Sequence, residues 1–248
     1  MYALSVQNIP EGREWLYEVK FDGYRCLAGR DKSGVTLWSR RGNLFTSQFS
    51  NIARACERLP ADTLLDGEIV AIDKSGRISF NLLQHHRSHA HALLFYAFDV
   101  IVCRGKSLVS TPLEKRRTLL NEIFEDLGKN ASPICLSEML DTAPADLIRA
   151  AKEFGFGGIV AKRKTSLYEP GKRSGAWLKY RINKGAGVCH WRIHPRQSIR
   201  FNYRWLLPRR KIAICRQGAE RVRIAHAPRS GGQTQRLADR PMSPRQPT

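Results

Sequence analysis

The first three-quarters of this 248-residue chain predict an α+β fold built on antiparallel sheets. Short apolar or alternating segments, bounded by Gly, Asp, Asn or Ser, recur from about residue 14 to 185. Helical periodicity interrupts them at three places only, and no strict strand–helix–strand repeat links them, as a parallel sheet requires. After Gly185 this pattern stops.

The predicted strands cover 15–21, 24–30, 35–39, 64–72, 93–101, 158–163 and 177–181. In the first, period-two alternation sets Leu16, Glu18, Lys20 and Asp22 on one face and Tyr17, Val19 and Phe21 on the other, which can bury. A helix over 47–58 brings Phe49, Ile52, Ala53 and Cys56 to one side. A helix over 112–127 has Thr111 as N-cap, Glu114 three residues on, Pro112 in its first turn and Gly128 as its stop. Its apolar stripe is Leu119, Leu120, Ile123, Phe124 and Leu127. A helix over 144–154 repeats the design with Leu147, Ile148, Ala151 and Phe154, ending at Gly155. There is no internal repeat.

A chain of this length can build one sizeable core and a small second unit. No apolar run reaches the roughly 18 residues of a membrane span, and residues 1–13 lack the pattern of a secretory signal. Six cysteines show no C-x-x-C pair, which predicts reduced thiols, a cytoplasmic setting and no zinc ribbon. His85, His86, His89 and His91 crowd one segment between strands and read as a solvated loop in preference to a zinc site. The net charge of +20 points to a polyanionic partner, nucleic acid first. That charge is uneven. Residues 186–248 carry thirteen arginines and one lysine against two acids, a net +12, and their last twenty residues have almost nothing to bury.

Five segments carry chemistry. Glu18-Val19-Lys20-Phe21-Asp22-Gly23-Tyr24-Arg25 sets an amine between carboxylates beside a glycine turn, the company a nucleophilic lysine needs. Arg40 and Arg41 at a turn suit bidentate phosphate contacts. Asp66-Gly67-Glu68 puts carboxylates inside an apolar strand, costly unless they are paired. Phe98 closes another apolar strand and offers an aromatic face. Lys162, Lys179 and Arg181 are cations at alternate strand positions.

In this order and spacing, the segments over roughly 10–185 resemble the adenylation domain of ATP-dependent DNA ligases, within the covalent nucleotidyltransferase superfamily. They also resemble the ligase module of bacterial end-joining ligases. The resemblance implies an ATP-grasp-like, antiparallel-sheet nucleotidyltransferase domain over 1–185. It implies that Lys20, in K-x-D-G, attacks the α-phosphate of ATP and becomes lysyl-AMP. Glu18 then lies at the adenine edge, Arg25 and the Arg40–Arg41 pair contact nucleotide and nicked-strand phosphates, Glu68 binds the ribose hydroxyls, and Phe98 stacks on adenine. Lys162, Lys179 and Arg181 gather at the α-phosphate, where like charge and Mg²⁺ favour a neutral Lys20 amine. ATP and Mg²⁺ are the implied cofactors and nicked or broken duplex DNA the substrate, with end-joining proteins as partners of a monomer. An RNA ligase, a capping-type nucleotidyltransferase and a non-catalytic nucleic-acid-binding remnant are the competing readings.

Two departures bear on activity. The motif that in the family reads E-G-[IV]-V-A-K begins here with Gly157, so the family's metal-organising glutamate is missing. And 186–248 does not resemble the OB-fold that follows in the family. Codons permitted by Ala186 to His194, read one base later, encode the string GQEFVIGGYT, which resembles the family's sequence after Asn-Lys-Gly. The tail is therefore expected to be out-of-frame sequence, from one extra base near the codons for Lys184 and Gly185.

Overall fold

The computed structural model describes residues 1–86, 92–128 and 131–182. The described strands are β1 (Leu4–Val6), β2 (Trp15–Val19), β3 (Tyr24–Asp31), β4 (Gly34–Ser39), β5 (Thr63–Ile72), β6 (Ala92–Cys103), β7 (Lys106–Ser107), β8 (Ile134–Leu136), β9 (Met139–Leu140), β10 (Gly158–Arg163) and β11 (Trp177–Arg181). The helices are α1 (Ser50–Cys56), α2 (Phe80–Gln84), α3 (Leu113–Leu127) and α4 (Pro144–Glu153). One sheet has the order β1-β11-β10-β2-β9 and the other β4-β3-β5-β6-β7, with β8 added beside β6. Every pairing is antiparallel except β1 with β11 and β8 with β6. The predicted α+β architecture with antiparallel sheets is what the chain forms.

Two glycines allow close approach within the six-stranded sheet, Gly23 against β5 and Gly67 against β6. An added Cβ at Gly23 would lie 2.1 Å from the Ile69 carbonyl oxygen. At Gly67 it would lie 2.4 Å from the Phe95 ring and 2.5 Å from the Tyr96 oxygen, beside the register shift between Asp66 and Gly67. The glycines of K-x-D-G and D-G-E are thus set by close backbone approach.

Three of the four apolar clusters among the described residues join helices to sheets or sheet to sheet. Leu37, Ile52, Cys56, Leu65, Ile69, Phe95, Leu120 and Ile134 pack α1 and α3 onto the six-stranded sheet. Trp15, Tyr17, Leu147, Ala151, Ile159 and Ala161 pack α4 onto the five-stranded one. Met1, Ile101, Leu113, Tyr168 and Trp177, with Leu16, Leu27 and Phe98, join the two sheets. Each large buried side chain contributes about 1.5–3 kcal/mol.

Several expectations need correction. β2 stops at Val19, so Lys20 stands just beyond the strand, where its N–H donates to the Gly158 carbonyl at 2.9 Å. Glu18, on the face shared with Leu16 and Lys20, is only 2% exposed, because β2 is covered on both sides. The helix expected over 47–58 shortens to α1. At α3 the N-cap position is Pro112, with no side-chain cap, so Thr111 does not cap the helix. Gly128, at φ 67°, does end it. The short strands β1, β7, β8 and β9 and the five-residue α2 carried too few residues to show a period. Residues 183–248, including the predicted tail, lie outside the described residues.

α3 also buries two arginines on its inner side. Arg116 donates twice to Asp99, both bonds 2.8 Å, and reaches the carbonyls of Thr111 at 2.5 Å and Ser166 at 3.0 Å. Arg117 donates to Phe98 O at 3.2 Å and Ser137 O at 2.6 Å and lies 3.6 Å from Glu18 Oε1. The helix therefore binds strand β6, the β8–β9 connection and β2 through charge as well as apolar surface.

Candidate active site

A cavity of about 960 Å³ opens where the β2–β3 connection, the turn after β4, and strands β5, β6, β10 and β11 converge. Lys20, Glu18, Arg25, Arg40, Arg41, Glu68, Phe98, Lys162 and Lys179 all line it. Residues spread over some 160 positions of sequence thus meet in one cavity.

The Lys20 side chain is 20% exposed, its Nζ 3.4 Å from Phe21 O and 3.7 Å from Asp22 Oδ1. A Cβ added at Gly157 would lie 3.1 Å from that Nζ. The position lacking a carboxylate therefore adjoins the amine.

Behind Lys20, Glu18 and Lys162 are partners. Lys162 Nζ donates to both Glu18 oxygens at 2.9 Å and to Phe98 O at 3.3 Å, and lies 4.5 Å from the ring centroids of Phe98 and Trp177. Ser137 Oγ adds a 3.1 Å bond to Glu18. Burial pushes the Lys162 amine below the ordinary lysine value, against Glu18 and Asp99, which hold it up. The Lys162 cation is thus directed at a carboxylate and two rings, not at a free space beside Lys20.

Arg25 is equally committed. Its guanidinium makes a two-pronged contact with Asp66, at 2.9 and 2.5 Å, and Tyr168 OH donates to the same carboxylate at 2.8 Å. Burial disfavours the cation, but Asp66 more than offsets it, so Arg25 is held above the ordinary arginine value. Asp66, fully buried, is accordingly a partner of Arg25, which answers the question of what pairs the carboxylates of β5. Glu68, two residues on, is pushed up to about 7 by burial, against the pull of Arg25, Lys20 and the Gly23 N–H.

The rim is cationic. Arg40 and Arg41 are exposed on the turn after β4. Burial lowers the Lys179 amine, and the charges of Arg181, Arg173, Lys20 and Arg40 lower it further. Arg181 shares the Lys179 face of β11 but is exposed and does not line the cavity. Sequence reasoning missed Tyr2, Arg173 and Trp177, which do line it. Arg173 lies in the β10–β11 connection and Tyr2 precedes β1, so neither sits in a periodic segment.

Among the described residues no group of three or more His, Cys, Asp or Glu is placed to hold a metal ion. His86 stacks on Phe49 at 5.1 Å and His85 bonds the Asn81 carbonyl, whereas His89 and His91 lie outside the described residues. No described helix is long and apolar enough to cross a membrane.

This combination of two sheets and a lysine-centred, cation-rimmed cavity defines a nucleotidyltransferase-type ligase domain. Residues 2–181 match the family model of the ATP dependent DNA ligase domain, and the chain belongs to that family. It is 35% identical over 168 residues to the multifunctional non-homologous end joining DNA repair protein LigD of Mycobacterium tuberculosis, covering 67% of this chain and 21% of that protein. It is 33% identical over 222 residues to the bifunctional LigD of Bacillus subtilis, covering 80% and 36%. The chain thus spans between about a fifth and a third of these relatives. Among solved structures, the ligase domain of M. tuberculosis LigD superposes with a TM-score of 0.62 at 32% identity, over 71% of this chain and 58% of that one. A mycobacterial DNA ligase D complexed with ATP and MES gives 0.60 at 29% identity, over 72% and 60%.

Proposed function

We propose that this chain is the adenylating module of an ATP-dependent DNA ligase of the end-joining type, over 1–185. The observation that carries the reading is the meeting of Lys20, Glu68, Phe98 and the cations Arg40, Arg41 and Lys179 in one cavity large enough for a nucleotide. A relative of this family holds ATP.

In this reading the neutral Lys20 Nζ attacks the α-phosphorus of ATP. An N–P bond forms, the bond to the bridging oxygen breaks, and pyrophosphate leaves with the electron pair. The amine's proton passes outward, with Asp22 as the carboxylate in ion-pair reach. Glu68 accepts from the ribose hydroxyls and Phe98 offers its ring to adenine. Arg40, Arg41 and Lys179 neutralise phosphate charge, which is most of what phosphoryl transfer asks of a protein. AMP then passes to the 5′-phosphate of nicked or broken duplex DNA, and a 3′-hydroxyl displaces it. Arg25 contributes through the field of a fixed pair, and Arg181 acts at the rim. Glu18 and Lys162 must exchange their mutual bond for nucleotide contacts, or serve as the floor beneath them.

Mg²⁺ fits this cavity only as an ion carried in on the phosphates. The described residues supply no cluster of ligands, and Gly157 offers no carboxylate.

Incubation with ATP labelled in its α-phosphate, with Lys20→Ala as the control, tests the reading. A covalent adenylate that depends on Lys20 is expected. Its absence overturns adenylation, and labelling by GTP but not ATP assigns the chain to capping-type transfer.

A further inference from the structure

Tyr2 belongs to no motif, yet the fold holds it firmly. Its N–H donates to the Lys172 carbonyl at 2.8 Å, the preceding Met1 is 3% exposed among Tyr168 and Trp177, and β1 pairs with β11 from Leu4 onward. The backbone on either side is therefore anchored, and the ring lines the cavity. Three guanidiniums surround that ring. Arg40 lies 4.1 Å from its centroid, Arg25 5.4 Å and Arg173 5.6 Å. They come from three separate parts of the chain: the turn after β4, strand β3 and the β10–β11 connection.

Of the three, Arg25 has its own carboxylate in Asp66. The ion pairs among the described residues include neither Arg40 nor Arg173, and Arg173 instead donates to the Ala3 carbonyl at 3.3 Å. Bringing like charges together without a counter-charge is unfavourable, and each exposed arginine also gives up rotamer freedom. An aromatic face offsets part of both costs. Its negative quadrupole attracts the cations, while the in-plane N–H donors not already engaged by Asp66 or the Ala3 carbonyl, those of Arg40 above all, stay available for phosphate oxygens.

We infer that Tyr2 is a positioning residue, whose ring gathers Arg40 and Arg173 beside Arg25 into a site for the polyphosphate end of the nucleotide. The inference rests on the nucleotide-cavity reading above but does not need the covalent step. A polyphosphate carries the concentrated charge that a rim of three arginines and Lys179 would take. Tyr2 itself touches the arginines and not the phosphate, so its effect should fall on affinity.

Binding of inorganic tripolyphosphate to the full chain, measured by calorimetry at low salt, tests this directly. Tyr2→Phe keeps the ring and is expected to bind within twofold of the unaltered chain. Tyr2→Leu keeps apolar bulk without a π-face and is expected to weaken binding by about threefold to tenfold. In lysyl-adenylate formation it should raise KM for ATP more than it lowers kcat. In an Arg40→Gln background the Tyr2→Leu loss should shrink, since its main partner is gone. If Tyr2→Leu does not fold, Tyr2→Trp replaces it, with binding equal to or tighter than that of the unaltered chain. Equal affinities for the Phe and Leu variants, an unchanged Leu loss without Arg40, a loss in the Trp variant, or no tripolyphosphate binding by the unaltered chain would each overturn the inference. Tripolyphosphate binding that follows the expected order in a chain forming no adenylate would sink the ligase chemistry and leave the positioning role standing.

Discussion

Single residues at this site are tuned mostly by burial, and Glu68 shows it in a measurable way. Its carboxyl is pushed from an ordinary 4.5 to about 7 by loss of solvent, more than Arg25 and Lys20 pull it back. Between these values the folded chain binds more protons than the unfolded one, so stability must fall as pH rises. The contribution is fully present below about 4.5 and lost as pH passes through 7, at most roughly 3 kcal/mol in all. Glu68→Gln should remove this slope. Urea unfolding at pH 5 and pH 8 is expected to show the variant gaining on the unaltered chain at the higher pH, and an equal pH slope in both would refute it. A second residue-scale case is Tyr168, whose hydroxyl bonds Asp66 inside the Arg25 pair. Tyr168→Phe leaves a fully buried carboxylate with one partner fewer and should cost about 1–3 kcal/mol in denaturant titration. A cost below 0.5 kcal/mol, on the scale of an exposed substitution, would mean that Arg25 alone satisfies Asp66.

At the scale of elements, α3 is where the sequence misled and the reason is plain. Its apolar stripe was legible, and Leu120 and Ile123 are buried as the 3.6-residue period demands. Nothing in that period says that Arg116 and Arg117 turn inward, because their partners Asp99 and Glu18 lie 17 and 99 positions away. The same limit hid Tyr2 and Arg173, which become rim residues only when β1 and β11 pair. The strands β3, β5, β6, β10 and β11 were legible because each is long enough to show alternation or an unbroken apolar run. The motif residues were legible because chemistry restricts them locally. Arg116→Leu should therefore be severe, about 3–5 kcal/mol, since it strands Asp99 without its cation in a fully buried place. Pairing it with Asp99→Leu should recover much of the loss. Thr111→Ala, by contrast, should cost well under the typical 1 kcal/mol of a lost cap, because the hydroxyl makes no cap bond. Thermal melts of the three variants decide both points, and a milder effect for Arg116→Leu than for Thr111→Ala would reverse this account of α3.

For the whole molecule, an assembled cavity and a working ligase are different matters. The family's glutamate is replaced by Gly157, at a place where even a Cβ would come within 3.1 Å of Lys20 Nζ. A carboxylate there would stand beside Asp22 at the amine, changing charge where the phosphorus is attacked. Losing one group that stabilises developing charge costs on the order of a hundredfold to a thousandfold in rate. Sealing also needs a grip on duplex DNA after adenylation, which in the family comes from the OB-fold beyond residue 185. Residues 186–248 instead carry thirteen arginines against two acids, a composition that we propose arises from a one-base shift and not from a new basic domain. In this proposal Gly157 and the tail bear on different steps, so they separate experimentally. The unaltered chain is expected to adenylate Lys20 weakly and to leave nicks open. Gly157→Glu should raise lysyl-adenylate formation at least tenfold yet still not seal, because it adds nothing to DNA binding. Restoring the downstream frame should bring tighter nicked-duplex binding in a gel-shift assay, and only the two changes together should yield efficient sealing. The gene's own bases come first in this test: a reading frame one base later without a ligase-like continuation after Lys184 would end the frame argument. Efficient sealing by the unaltered chain would end the whole account of its defects.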